Sequence, residues 1–288
     1  VQRFHAERGS SLRVTPYSYV LYPNSDTVGN FNVEAASAIG THPGYARPLS
    51  VPLRADTQLP RQLQRSIFGG GHAGVDALID HYTSDFRAQF DHPITGAGRI
   101  PRLERYAQAR LALKRAPELS NILTTDALAS FEGNECGLTV STDSTAMQLR
   151  LAAHLMTHPF EQARFVHAID AGLKEASNGG YDTHNYHVKD QSKSAVHMCR
   201  ELVNNINAPG ESNPTKLDLD QHMVMITSEM GRTPYPQQFS DGGLNHWPYG
   251  FVVALIGGPI TSEQAGIVGA FGEDARATEW ITPSELRA

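Results

Sequence analysis

The chain has 288 residues, with 24 Lys and Arg against 30 Asp and Glu, a formal charge of −6, and hydrophobic and charged shares of 40% and 19%. That balance belongs to a globular protein rather than a disordered or fibrous one, and the length provides core enough for one large α/β domain or two small ones. A pI near 6.1 without any cluster of Lys and Arg excludes the electrostatic footprint of nucleic-acid binding and argues against an anionic membrane surface.

Cys136 and Cys199 are the only cysteines, and no CxxC occurs, so a disulfide framework or a thiolate zinc site is set aside; a single bridge stays possible. The longest purely apolar run, residues 251–256, is far below the roughly 20 residues of a membrane span. The chain opens Val1-Gln2-Arg3-Phe4-His5, neither an initiator Met nor a signal peptide, which predicts a processed or truncated product.

In chain order, Tyr19 to Tyr22 reads as a short strand stopped by Pro23, and Pro43, Pro48 and Pro52 keep the following stretch extended. Apolar spacing predicts helices over 75–90 and 103–123, the second kinked or split by Pro117. A third follows Thr142 and Asp143, both able to cap it, and runs through Met147, Leu151, Leu155 and Met156 to Pro159. Residues 164–170 then read as a strand, 188–206 as a helix and 222–228 as a buried strand, together a βαβ unit; a further strand covers 251–256 and another falls at Ile267 and Val268. The expected organisation is a helical and loop-rich part over 1–160 and an α/β part over 161–288, with no repeat or linker marking a boundary.

Gly69-Gly70-Gly71-His72-Ala73-Gly74 matches GxGxxG, and Asp91 lies where a ribose acceptor would. The polar run 61–66 before it is unlike the hydrophobic strand that a dinucleotide fingerprint needs, so a loop competes with a cofactor site. No GxxxxGK[ST], HExxH or GxSxG occurs.

Three later segments carry metal-binding chemistry. Gly179 to His187 places Asp182 two residues from His184 on a Gly-released loop, where both can face one ion; the alternative is that Asp182 or Thr183 merely caps the next helix. Glu229 leaves an apolar strand, where an unpaired carboxylate is costly, so it should meet a metal or Arg232. His246, beside Trp247, is either a packed core residue or a further ligand. Together Asp182, His184, Glu229 and His246 supply the mixed O and N donors preferred by zinc or manganese.

The order Gly180-Tyr181-Asp182-Thr183-His184, then Ser228-Glu229-Met230-Gly231-Arg232-Thr233-Pro234, then Asn245-His246-Trp247-Pro248, followed by the strand ending Gly257-Gly258-Pro259, resembles the bacterial DUF1501 family, related to the alkaline phosphatase and sulfatase superfamily. The resemblance is strongest over 160–270 and extends upstream through Gly40 to Leu49 and the helix at 103–123. It implies a single alkaline-phosphatase-like α/β domain over 1–288, its sheet flanked by helices, that binds divalent metals and hydrolyses small phosphate or sulfate esters outside the cytoplasm. Asp182 and His184 match the superfamily's Asp/His metal pair and His246 its later histidine. Glu229 takes the place of an Asp-His dyad, with Met230 where the dyad's histidine falls, which implies an incomplete or differently built second metal site.

The first strand, with its metal-binding Asp and Ser or Thr nucleophile, has no counterpart here, which implies N-terminal truncation and impaired turnover. Three functions are thus in contention. In the first, a metal-dependent hydrolase, Arg232 holds the substrate anion and Glu229 stands beside the ion. The others are a non-catalytic metal-stabilised binding or assembly module and a dinucleotide enzyme using the loop at 69–74.

Overall fold

The computed structural model describes residues 18–23, 49–53, 73–90, 144–159, 162–173, 180–228, 230–258, 260–261, 263, 265–282 and 285. The chain divides into two compact units, Val1–Asp170 and Ala171–Ala288. The helix expected over 103–123, the first residues of the glycine loop (69–72), Cys136 and Glu229 lie outside the described residues.

In the first unit the run Tyr19 to Tyr22 forms β1 (Ser18–Pro23), the central strand of a parallel sheet between β2 (Leu49–Leu53) and β3 (Phe165–Ala168). A central parallel strand is covered on both faces, which is why this stretch is apolar without alternation. Tyr19 and Leu21 are fully buried and Val20 and Tyr22 nearly so. Helix α1 (Ala73–Phe90) starts two residues before the expected point and exposes Leu78 and Tyr82.

Helix α2 (Ser144–Thr157) ends where Pro159 predicts, packs on β1 and β3, and buries Ala146, Leu151, Ala153 and Leu155. Each fully buried leucine contributes about 1.5–3 kcal/mol relative to exposure. Two polar residues on the same face fix its register. Thr145 Oγ1 donates to Asp170 Oδ1 at 2.7 Å, and Gln148 Oε1 accepts from the Ile169 amide at 3.0 Å.

In the second unit, helix α3 (His187–Asn204) buries Asp190, Ser194, His197 and Glu201, a stripe at helical period that is polar rather than apolar. Its expected Asp182 or Thr183 cap is not formed. The N-cap is Tyr186, in the left-handed region at φ 48°, with no side-chain cap and its amide donating to Asp241 O at 3.0 Å.

Strands β4 (Met223–Thr227) and β7 (Val253–Gly257) form an antiparallel ribbon. Shorter ribbons pair β5 (Gly231–Arg232) with β6 (His246–Trp247) and β8 (Ala270–Phe271) with β9 (Ala277–Glu279). The βαβ expectation differs from this arrangement: among the described residues β3 and β4 belong to different sheets. Nor is β4 buried, because a two-stranded ribbon leaves one face open, and Met223 and Met225 are about half exposed. Ile267 and Val268 are exposed instead of forming a strand, which starts only at Ala270.

Candidate metal centre

The site begins with a backbone contact. Gly180 has φ 99°, and a Cβ there would stand 1.6 Å from Ala171 O, so only glycine lets the loop lie against that segment. The Tyr181 amide donates to the same carbonyl at 3.3 Å. Successive tight turns follow, Thr183 N to Tyr181 O at 2.9 Å and His184 N to Asp182 O at 3.1 Å. They bring the side chains of Asp182 and His184 together, with Nε2 of His184 3.0 Å from Oδ1 of Asp182.

The β5–β6 ribbon supplies the other half. Its register sets Arg232 directly opposite His246, and cross-strand partners project to one face. His246 Nε2 lies 3.5 Å from Asp182 Oδ1, and the His184 and His246 rings are 5.1 Å apart between centroids. Arg232 spreads its guanidinium over three acceptors: Tyr181 O at 2.9 Å, Asp182 Oδ1 at 3.0 Å and Leu244 O at 3.2 Å. Gly243 has no room for a side chain, since a Cβ would lie 1.7 Å from His184 O, and Leu244 N donates to Thr183 O at 3.3 Å.

The ligand atoms of Asp182, His184 and His246 all lie within 4.8 Å of one another. Four donors placed tetrahedrally at about 2.0–2.2 Å from zinc stand roughly 3.3–3.6 Å apart, so separations of 3.0 and 3.5 Å from the carboxylate suit a common ion. Burial pushes the Asp182 carboxyl up, but the Arg232 hydrogen bond, the charge of His184, the His246 hydrogen bond and the charge of Arg232 together hold it below the usual carboxylate range. It is thus ionised and ready to ligate.

Two supporting contacts have no sequence signature. The Gln237 carboxamide Nε2 lies 2.6 Å from His184 Nδ1, a contact that fixes the orientation of the ring. Thr183, between the two loop ligands, is buried and lies 2.6 Å from Nδ1 of His187. Burial and the charge of Arg232 push that imidazole's pKa down, so in its neutral form Nδ1 accepts the Thr183 hydroxyl proton. The signal for it was an i, i+4 spacing spanning the helix start.

The structure therefore brings together Asp182, His184, His246 and Arg232. Arg232 pairs with Asp182, and His246 is half-exposed rather than packed in a core. Cys199 is free and exposed. Among the described residues no helix is long and apolar enough to cross a membrane.

No curated protein and no solved structure matches this chain. Residues 95–288, more than half of it and including every residue of the triad, match a family described as "Protein of unknown function (DUF1501)", and the chain belongs to that family.

Proposed function

We propose that Asp182, His184 and His246 hold a divalent metal, zinc or manganese, at which the protein binds and hydrolyses small phosphate or sulfate esters. The carrying observation is the convergence of one ionised carboxylate and two imidazoles beside an arginine. This donor set, without thiolate, suits those ions. When bound, the ion supplies Lewis-acid stabilisation of charge on a phosphoryl or sulfuryl oxygen. The chain's own groups divide the remaining work: Asp182 provides the anionic ligand, Gln237 fixes the His184 ring, and Arg232 holds the loop closed and lies within reach of an anion at Asp182. An alkaline-phosphatase-like fold and action outside the cytoplasm accompany this reading through the motif resemblance.

The second reading, a non-catalytic metal-stabilised module, is favoured by one feature. Thr183, the hydroxyl flanked by the two loop ligands, is 1% exposed and bonded to His187, so it is not presented to a substrate as a nucleophile. Elemental analysis of the wild type against His246→Ala, alongside assays with p-nitrophenyl phosphate and p-nitrophenyl sulfate, separates the readings. Metal-dependent turnover lost in His246→Ala supports the hydrolase. Stoichiometric metal without turnover supports the module, and wild-type protein that takes up neither zinc nor manganese defeats both.

A further inference from the structure

His246 faces two ways. It belongs to the triad and also lines an open cleft of about 630 Å³ with Thr233, Tyr235, Pro236, Gln237, Gln238, Asn245 and Trp247. A cleft that shares a wall with an ester-binding centre is where the alcohol part of the ester must lie, so its chemistry reports the substrate class.

Two features define that chemistry. The first is an aromatic corner. The Tyr235 and Trp247 rings stand 6.2 Å apart at 77°, and Tyr235 is 58% exposed. Trp247 is fixed by its Nε1 donating to Ala275 O at 3.0 Å, by the Tyr249 ring at 4.9 Å and 72°, and by the Arg276 guanidinium 5.9 Å from its ring centroid, so the corner is preformed. The second is a set of three carboxamides: Gln237 is bonded to His184 Nδ1 and Asn245 Oδ1 accepts from the His246 amide at 2.8 Å, which leaves the Asn245 amino group and the Gln238 carboxamide to meet a ligand. No Lys, Arg, Asp or Glu stands among the described lining residues.

A corner of ring faces suits a ligand with flat C–H surfaces, and carboxamides suit hydroxyls, which also give and take hydrogen bonds. The Asn245 amino group and the Gln238 carboxamide would find no partner in a plain alkyl chain. We infer that the cleft receives a pyranose ring, making the substrate a phosphate or sulfate monoester of a sugar. This rests on the reading of the triad as an ester-binding metal centre.

The test follows fluorescence of Trp247 in a Trp280→Phe background, which removes the only other tryptophan. Galactose 6-sulfate, ethyl sulfate and inorganic sulfate are titrated against zinc-loaded and EDTA-treated protein. The expected result is that the hexose ester binds about ten-fold more tightly than ethyl sulfate, and that Tyr235→Ala erases this preference while zinc content stays unchanged. Equal binding of hexose and ethyl esters, a preference that survives Tyr235→Ala, or no hexose-dependent change up to about 10 mM would each overturn the sugar assignment. The metal reading fails separately, through absent zinc or through anion affinity indifferent to EDTA.

Discussion

Gly243→Ala tests whether the site is held by backbone contact rather than by its ligands alone. The new Cβ would sit 1.7 Å from His184 O, 2.0 Å from its carbonyl carbon and 2.5 Å from Asn185 N, against 3.4 Å for the start of ordinary contact. All three atoms are backbone, so no rotamer change relieves the clash, and the 183–185 and 243–245 segments must part by well over 1 Å. A constellation of ligands tolerates only about 0.5 Å of displacement, and disturbing supporting contacts typically costs 10–100-fold in metal affinity. We expect a loss of that size, with destabilisation of at least about 2 kcal/mol. Gly242→Ala is the control: it shares the loop and has φ 73°, but its Cβ would meet nothing within 4 Å. It should cost only about 1–2 kcal/mol of left-handed strain and leave metal affinity intact. Zinc affinity measured by competition with a chromogenic chelator, together with thermal melts, reads both variants. Wild-type affinity in Gly243→Ala would refute the reasoning.

Arg232→Ala should raise the Asp182 pKa toward its ordinary value, read by carboxyl-carbon NMR, and destabilise the unit by about 2 kcal/mol through two carbonyls and a carboxylate losing their donor. Because the folded-state pKa of Asp182 is lowered, its contribution to stability is present above the unfolded value near 4 and is lost as pH falls through the folded value. Asp182→Asn should therefore flatten the acid limb of a melting-temperature profile measured below about pH 5, and an unchanged limb would show that the carboxylate gains nothing in the fold. Adding EDTA at pH 7.5 to metal-loaded protein should lower the melting temperature, and the difference should fade on acidification because imidazoles must be unprotonated to ligate. Leu155→Ala, at a fully buried position of α2, should cost about 2–5 kcal/mol in chemical denaturation without altering metal content.

What the sequence revealed tracks the range of the forces involved. Tyr19 to Tyr22 and the 144–157 helix were legible because burial imposes a local pattern, a continuous apolar run in one case and a 3.6-residue period in the other. Strand pairing was not. The 223–226 run is apolar whether its neighbour is parallel or antiparallel, and nothing local says that it joins Val253–Gly257. Two-residue strands such as β5 and β6 are too short for any period, yet they carry Arg232 and His246. Asp182, His184 and His246, which converge, were singled out through residue chemistry, with a helix cap and a packed core histidine as the competing readings. Glu229 was expected to meet a metal or Arg232 and lies outside the described residues; Arg232 reaches Asp182 across 50 residues, a choice made by the ribbon's register. Gln237 could not be foreseen, because an amide that orients an imidazole looks in sequence like any loop glutamine.

The Asp182–Arg232 pair also sets the electrical state of the candidate metal centre. Carboxylate and guanidinium cancel, so without an ion this pair offers a small anion little net charge. A dication taken up by the triad leaves two positive charges unbalanced, in a recess where Arg232 is only 17% exposed and already aimed at the shared oxygen. If the triad holds an ion as proposed, anion capture follows metal capture, because each ion adds two positive charges beside the Asp182–Arg232 pair. Phosphate or sulfate binding should thus appear and vanish with the ion, while the guanidinium alone supplies only the direction from which the anion is met.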